Sequence, residues 1–525
     1  MAGEGADEGR GGTRGHSNEA VRSGRAPDLG LALVSSTSTS PTDPPASRPP
    51  SAGQSARPSA GPQVPAVATE LGERFAAAGH TLALVGGSVR DLILGRAVND
   101  LDFTTDARPE QIEQVLQGWA HATWDLGRAF GTIGARHHDD IVEITTYRAE
   151  AYDPDSRKPA VAFGDSLDED LVRRDFTVNA MALALPAGEF VDPHGGLQDL
   201  AAGVLRTPGT PQASFTDDPL RMLRAARFAA QLQFAVHPDV QAAMRDMASR
   251  LSIVSAERVR DELVKLLLAP RPRVGLTLLV DTGLADVFLP ELPALRLELD
   301  EHHRHKDVYE HSLIVLEQAI DLEDDVVPGP DLVLRLAALL HDIGKPATRR
   351  FEPGGTVSFH HHEVVGAKMT AKRLRALRFD KETVKAVTRL VELHLRFHGY
   401  GTGEWTDSAV RRYVTDAGPL LTRLHRLTRS DCTTRNARKA ERLSRTYDEL
   451  ERRIAVLAEQ EELAAIRPDL DGQQIMQLLG IRPGPVVGRA YQHLLALRME
   501  SGPLDPDAAR AALLQWWQEQ PESQT

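Results

Sequence analysis

The chain has 525 residues, of which 41% are hydrophobic, enough for several globular domains of ordinary composition. Its formal net charge is -13, so it does not coat nucleic acid by bulk attraction, and any RNA contact must come from a local basic surface. The single cysteine, Cys432, excludes an internal disulfide framework and a cysteine-based zinc site and fits a reducing cytoplasm. No apolar run reaches the ~18 residues of a membrane span, and no secretory signal is expected.

Residues 1–62 are rich in Gly, Ser, Thr, Pro and Ala and are expected to form a disordered tail. A helix is predicted from Pro65 to Ala78. The stretch Leu84 to Asp106, LVGGSVRDLILGRAVNDLDFTTD, follows. Its apolar run ends in Gly86-Gly87 and leads into an amphipathic segment from Val89 to Leu94, which reads as strand, glycine turn and helix N-terminus. Such a turn exposes backbone N–H groups and can hold a triphosphate. Asp100-Leu101-Asp102-Phe103 then reads as a strand with both carboxylates on one face and both apolar side chains on the other. Two carboxylates so placed call for a bridging cation, and Mg²⁺, which shares hard oxygen ligands with substrate phosphates, is the natural one.

Pro109 to Gly118 is predicted as a helix, and Gly131 to Arg136 and Ile141 to Tyr147 as strands, giving a mixed sheet backed by helices. Glu143 lies on the strand face opposite Val142 and Ile144. Residues 149–169 are polar and proline-rich and are expected to form a mobile loop. In LVRRDFTVNA, residues 171–180, the adjacent Arg173 and Arg174 beside Asp175 make a cationic cluster suited to phosphate oxygens. Phe190 to Leu200, FVDPHGGLQDL, carries turn chemistry and is given a structural role.

In DDPLRMLRAARF, residues 217–228, Asp217 or Asp218 is a plausible helix cap with Pro219 in the first turn. Asp218 and Arg221 are three apart and project from one side, and Arg224 and Arg227 continue that side. A carboxylate accepts from an exocyclic amino group while a guanidinium donates to ring nitrogens or carbonyls, so such a pair reads the pairing edge of C or A and rejects U and G.

These motifs resemble the class II CCA-adding enzymes and poly(A) polymerases of bacteria, in the polymerase-β-like superfamily. The carriers are Gly86-Gly87-x-x-Arg90-Asp91, Asp100-x-Asp102, the Arg-Arg-Asp-Phe-Thr-x-Asn-Ala run, and Asp217-Asp218-x-x-Arg221, where the family has Glu at the first position. The likeness extends from about Val64 to about Pro485. It implies that Asp100 and Asp102, with Glu143 as third carboxylate, hold two Mg²⁺ ions. It further implies that Gly86, Gly87, Arg90 and Arg174 grip the triphosphate, that Asn179 holds a local turn, and that Asp218, Arg221, Arg224 and Arg227 form the nucleotide-selecting helix.

Helices are predicted over residues 229–300, with Ser255 starting one and Arg258 a possible contact to the head. Beyond residue 303 come His311, His341-Asp342 in LLHDIGKP, His362, His394 and Asp431, each on or at the end of an apolar-periodic helix. Their order resembles the HD phosphohydrolase superfamily. The likeness implies that His311, His341, Asp342 and Asp431 bind a metal, with His362 and His394 near a second metal or a phosphate; His360, His361 and His398 offer other registers. Imidazole with carboxylate suits Mn²⁺, Ni²⁺, Fe or Zn²⁺. Residues 479–488 read as helix, Gly-Pro turn and helix.

The expected fold is therefore α+β: a 1–62 tail, a nucleotidyltransferase head at 63–205 with a mixed sheet, a helical neck at 206–300, an HD helical domain at 301–440 and a helical tail at 441–525. The expected activity is template-independent addition of CCA to the tRNA 3′ end from CTP and ATP. Poly(A) synthesis, addition of C or A alone, and an HD-domain phosphohydrolase as the main activity remain open alternatives. No membrane partner is expected.

Overall fold

The computed structural model describes residues 64–524 apart from 99, 129–130, 152–159, 165, 298–306, 325–327, 354–356, 401–404, 435 and 462–466. The expected tail at 1–62 lies outside the described residues. Helix α1 (Ala66–Ala77) buries Ala68, Leu71 and Phe75 and leads into β1 (Leu82–Val85), whose four residues are all buried. Short α2 (Gly87–Ile93), β2 (Asp100–Thr105) and α3 (Pro109–Leu116) follow. Three further strands, β3 (Ala122–Gly127), β4 (Thr132–His137) and β5 (Asp140–Thr146), complete one half of the sheet.

A two-stranded hairpin of β6 (Arg148–Ala151) and β7 (Ala160–Phe163) and helix α4 (Leu167–Val172) then occupy much of the span expected to be a mobile loop. The polar, proline-rich composition concealed two short strands that stabilise each other by pairing. Strands β8 (Ala182–Leu185) and β9 (Glu189–Val191) finish a seven-stranded sheet of order β3-β4-β5-β2-β1-β8-β9. It is mixed: β2 runs parallel to β5, and the other pairings are antiparallel. Strand β3, absent from the sequence reading, has no clean alternation of apolar and polar residues.

Helix α5 (Gly196–Ala202) and β10 (Val204–Leu205) lead to a helical region. It comprises α6 (Pro211–Asp217), α7 (Leu220–Leu232), the short β11 (Ala235–Val236), α8 (Pro238–Met247), α9 (Ala256–Leu267), α10 (Pro272–Asp281), α11 (Leu284–Phe288) and α12 (Glu291–Ala294). Helix α7 is buried nearly all round, from Met222 to Leu232, and so acts as the central post of this region. Helix α9 starts where Ser255 accepts from the Arg258 N–H, and its apolar face packs on α7.

The next helices are α13 (Val308–Asp321), α14 (Leu332–Leu340), α15 (Lys345–Thr348), α16 (His362–Ala376), α17 (Lys381–Leu393), α18 (Asp407–Ala417) and α19 (Leu421–Ser430), with a small hairpin of β12 (Arg350–Phe351) and β13 (Val357–Ser358). Arg335 ties α14 to the region before it. Its guanidinium is buried, bonded to both oxygens of Glu323 and to the carbonyls of Leu267 and Ala269 at the end of α9. One apolar core runs continuously from Val67 to Leu457. Helix α20 (Ala437–Glu461) still packs on this core, while the last three helices, α21 (Gly472–Leu479), α22 (Pro485–Ser501) and α23 (Pro506–Gln518), carry a second cluster around Ile475, Leu494 and Leu513. The helix, turn and helix read over 479–488 is present as α21 and α22. No described helix is long and apolar enough to cross a membrane.

Candidate functional site

A cleft of about 520 Å³ opens where the sheet meets α7 and α9, and it gathers residues from five separate stretches of chain. Gly86 and Gly87 form its floor. Gly86 has φ 73°, a conformation that favours glycine, and a Cβ there would crowd Arg174 Nη1 at 3.0 Å. Ser88, buried in the first turn of α2, joins this turn to β2: its hydroxyl donates to the Asp100 carbonyl (2.8 Å) and accepts from the Asp102 N–H (3.2 Å).

Along β2 the burial alternates, with Leu101 and Phe103 in the core and Asp100 and Asp102 toward the cleft. Asp102 lies in register with Glu143 on the parallel strand β5, so three carboxylates share one patch of sheet. Burial first, then the charges of Glu143 and Asp100, push the Asp102 carboxyl up to about 6, against the pull of Arg174. Glu143 is exposed and stands beside the cleft rather than in its lining.

Opposite the carboxylates stands a cationic wall. Arg174 is held by Asp170 of α4, its Nη2 donating over 3.0 Å. Arg90 is buried; it bonds both oxygens of Asp91 and donates to Asn179 Oδ1 (2.5 Å), while Asn179 Nδ2 donates to Asp175 Oδ1 (3.0 Å). Asn179 thus joins two motifs rather than only holding a turn. Asp175 is the hub, accepting also from its neighbour's N–H and from Arg224 Nε (2.7 Å). Burial alone would raise its carboxyl; Arg224 and the Asn179 bond outweigh that and hold it at about 2.

At the selecting helix, Asp218 and Arg221 are held by separate partners. Asp218 precedes α7, and its Oδ1 accepts from the Leu220 N–H (3.0 Å). Its Oδ2 accepts from Arg258 of α9 (2.7 Å), not from Arg221. Arg221 instead donates to the Arg173 carbonyl (2.6 Å) and to Ser214 Oγ (2.9 Å). Spacing placed Asp218 and Arg221 on one side of a helix; Asp218 lies just before α7, where it accepts from a first-turn N–H, and both side chains line the cleft. Arg224 and Arg227 line the cleft with engaged guanidinia: Arg227 is buried, bonded to Glu262 (2.6 Å) and stacked on Phe228 (3.9 Å to the centroid). Ser88, Asp170, Ser214 and Glu262 were not singled out from sequence. Only Glu262, a charge on the apolar stripe of an amphipathic helix, left a visible signal.

The second constellation is assembled from helix ends. His311 comes from the first turn of α13, His341 caps α14 with Asp342 next, His362 opens α16, His394 caps α17 and Asp431 caps α19. Gly344 allows the close approach of α16: a Cβ there would fall 2.1 Å from the His362 carbonyl oxygen. His311 Nε2 lies 2.9 Å from Asp431 Oδ1, and His341 Nε2 lies 3.2 Å from Asp342 Oδ2. His362 Nε2 is 3.2 Å and His394 Nε2 3.9 Å from Asp342 Oδ1. His360 and His361 are exposed outside this centre.

His341, His362 and His394 each donate from Nδ1 to the carbonyl three residues earlier, on Ala338, Phe359 and Val391 (2.8, 2.8 and 2.7 Å). A carbonyl only accepts, so Nδ1 carries the proton of each neutral ring and Nε2 is the nitrogen turned to the centre. His362 Nε2 and His394 Nε2 are buried with no well-aligned hydrogen-bond partner among the described residues. Two triads, His311-His341-Asp342 and Asp342-His362-His394, have the spacing of metal ligands. Burial disfavours a cation here, yet Asp342 and Asp431 lift His341 to about 10, while burial and the neighbouring His341 depress His394 to about 3. Lys345 adds a fixed cation, 2.9 Å from Asp342 Oδ2.

Residues 82–206 match the family described as poly A polymerase head domain, 233–295 that described as probable RNA and SrmB-binding site of polymerase A, and 308–436 the HD domain. An A-adding tRNA nucleotidyltransferase of Deinococcus radiodurans is 35% identical over 451 residues, 84% of this chain and 96% of the relative. A CCA-adding enzyme of Bacillus subtilis is 43% identical over 217 residues, 41% of this chain and 52% of the relative. One of Lactobacillus gasseri is 39% identical over 240 residues, 46% and 58% of the two chains. The matched part therefore spans only about half the length of these CCA-adding relatives. The crystal structure of the Bacillus stearothermophilus CCA-adding enzyme in complex with CTP shares the fold, with a TM-score of 0.62 over 86% of this chain and 96% of that one at 24% identity.

Proposed function

The chain belongs to the family of nucleotidyltransferases that contains the A-adding and CCA-adding tRNA enzymes, and we propose that it adds CCA to tRNA 3′ ends from CTP and ATP. The observation that carries this reading is the cleft itself, where a glycine turn, two strand carboxylates, a row of arginines and a base-reading Asp and Arg face one space of nucleotide size. The Gly86-Gly87 turn, Arg90 and Arg174 bind the triphosphate. Asp218 accepts from the amino group of cytosine or adenine and Arg221 donates to the ring acceptors.

An all-oxygen donor set of Asp100, Asp102 and Glu143, with Asp102 destabilised as an anion, fits Mg²⁺. Mg²⁺ held by these carboxylates would supply activation of the RNA 3′ hydroxyl and charge neutralisation for the departing pyrophosphate. The protein's own part is to hold the triphosphate in line and to fix Arg174 on the side where charge accumulates. The buried Nε2 atoms of the second centre fit a divalent transition metal, and we assign to it a subsidiary phosphohydrolase activity on RNA ends or nucleotides.

A second reading, addition of the terminal A alone, is favoured by the relative that matches along 84% of this chain, an A-adding enzyme. Incubation with Mg²⁺ and tRNA transcripts ending before, within or after CCA, with each nucleotide singly and with CTP plus ATP, separates the readings. Addition of C, C and A followed by a stop is expected. Extension only of transcripts ending in CC, and only with ATP, replaces it by A addition. Open-ended A addition points to poly(A) synthesis.

A further inference from the structure

The anchoring of Asp218 carries a consequence for fidelity. A carboxylate and a guanidinium at the start of one helix, free in solvent, bond to each other, and a closed pair offers neither acceptor nor donor to a base. Here both are held apart by outside partners. Arg221 is tied to the Arg173 carbonyl and to Ser214, and Asp218 is spanned between the Leu220 N–H and Arg258 Nη2. Arg258 reaches across from α9, 40 residues away in sequence, and lines the same cleft.

We propose that Arg258 is a positioning residue for nucleotide selection, which keeps Asp218 open and aimed at the exocyclic amino group of the incoming base. This rests on the cleft being the nucleotide site. The Arg258 side chain is 52% exposed, so its ion pair adds little to stability, and its effect lies in orientation. A carboxylate offers about four lone-pair directions; the helix N–H and Arg258 use one on each oxygen and leave the others for the base. Without Arg258, Oδ2 loses its anchor and the side chain can swing onto Arg221. A pair that has collapsed on itself no longer discriminates an amino group from a carbonyl.

The experiment compares full-length wild type, Arg258→Ala and Arg258→Lys on a tRNA transcript that ends before CCA, with kcat/KM measured for CTP, UTP, ATP and GTP. The expected result is a fall of about tenfold in the CTP to UTP ratio for Arg258→Ala, driven by a rise in KM for CTP, with part of the ratio restored by Arg258→Lys. The melting temperature stays within a few degrees. The double variant Asp218→Ala/Arg258→Ala discriminates no worse than Asp218→Ala, because Arg258 acts through Asp218. An unchanged ratio, or an equal fall for all four nucleotides, overturns the proposal. Should Arg258→Ala fail to fold, Arg258→Lys decides by the same ratio, an intermediate value being expected and a wild-type value overturning it. Where the wild type extends only a transcript ending in CC, the ATP to GTP ratio decides in the same way; failure to extend transcripts ending either before or within CCA sinks the reading of the cleft itself, and the role of Arg258 with it.

Discussion

The head cleft and the helix-end centre both gather carboxylates, but they do so under opposite physical conditions. In the cleft, Asp100 and Asp102 stand on a strand at the edge of solvent, their donors are all oxygens, and the nearest cations are arginines suited to phosphate. In the helical centre, His341 and Asp342 are almost fully buried, the donors are mixed nitrogen and oxygen, and three imidazoles are locked by backbone carbonyls. The first arrangement suits a metal that arrives and leaves with a substrate. The second suits a resident metal, since ligands preorganised at such cost in burial gain most from a permanent cation. Two centres suited to different metals thus lie in one chain, and they are expected to respond independently.

The sharpest way to break this independence is substitution within each centre. Asp102→Asn is expected to reduce nucleotide addition about 10³-fold and to leave binding of Mn²⁺ or Ni²⁺ at the helical centre unchanged, read by calorimetry on the purified protein. Asp342→Asn, which alters the carboxylate shared by both triads, is expected to weaken that binding by about 100-fold or more while nucleotide addition persists. If either substitution disables both readouts, the two centres form one coupled unit.

Next in size is a prediction about what holds the cleft together. Asp175→Ala removes the hub that fixes Asn179 and Arg224 and leaves Arg224 without its principal partner, at an expected cost of about 3–5 kcal/mol in urea unfolding. With a folded value near 2 against an ordinary value near 3.8, Asp175 contributes stability that is present above about pH 4 and is lost as the pH falls through 2. The variant should therefore show less acid sensitivity than wild type across that window.

The head was legible in the sequence because its chemistry is local. The glycine turn, the alternation of Asp100 to Phe103 and the Glu143 strand lie within short stretches whose periodicity states which way each side chain points. The β6–β7 hairpin was missed because proline and polar residues mask strands that are stable only as a pair. The partner of Asp218 was not legible for a different reason: it comes from another helix, and spacing along one helix carries no information about it. Helix-end residues such as His394 and Asp431 could be recognised by resemblance but not by pattern, since periodicity says nothing about where helix termini converge.

The smallest effect tests the charge balance that distinguishes the open centre. Asp102 must be ionised to hold a cation, and its folded value near 6 places an acid limb on kcat/KM, with activity falling as the pH drops through that value. Because its folded value is raised, the same ionisation is a destabilising contribution at neutral pH in the metal-free protein, one that disappears as the pH falls from 6 toward 4. Glu143→Gln removes the second largest cause of the shift and should move the limb to lower pH. Burial, the largest cause, remains, so the limb should stop short of the ordinary carboxylate value. Raising Mg²⁺ should move the limb the same way, because a cation competes with the proton for Asp102. A limb that Glu143→Gln and Mg²⁺ both leave in place would mean that a different group titrates, and that the three carboxylates do not share one charge environment.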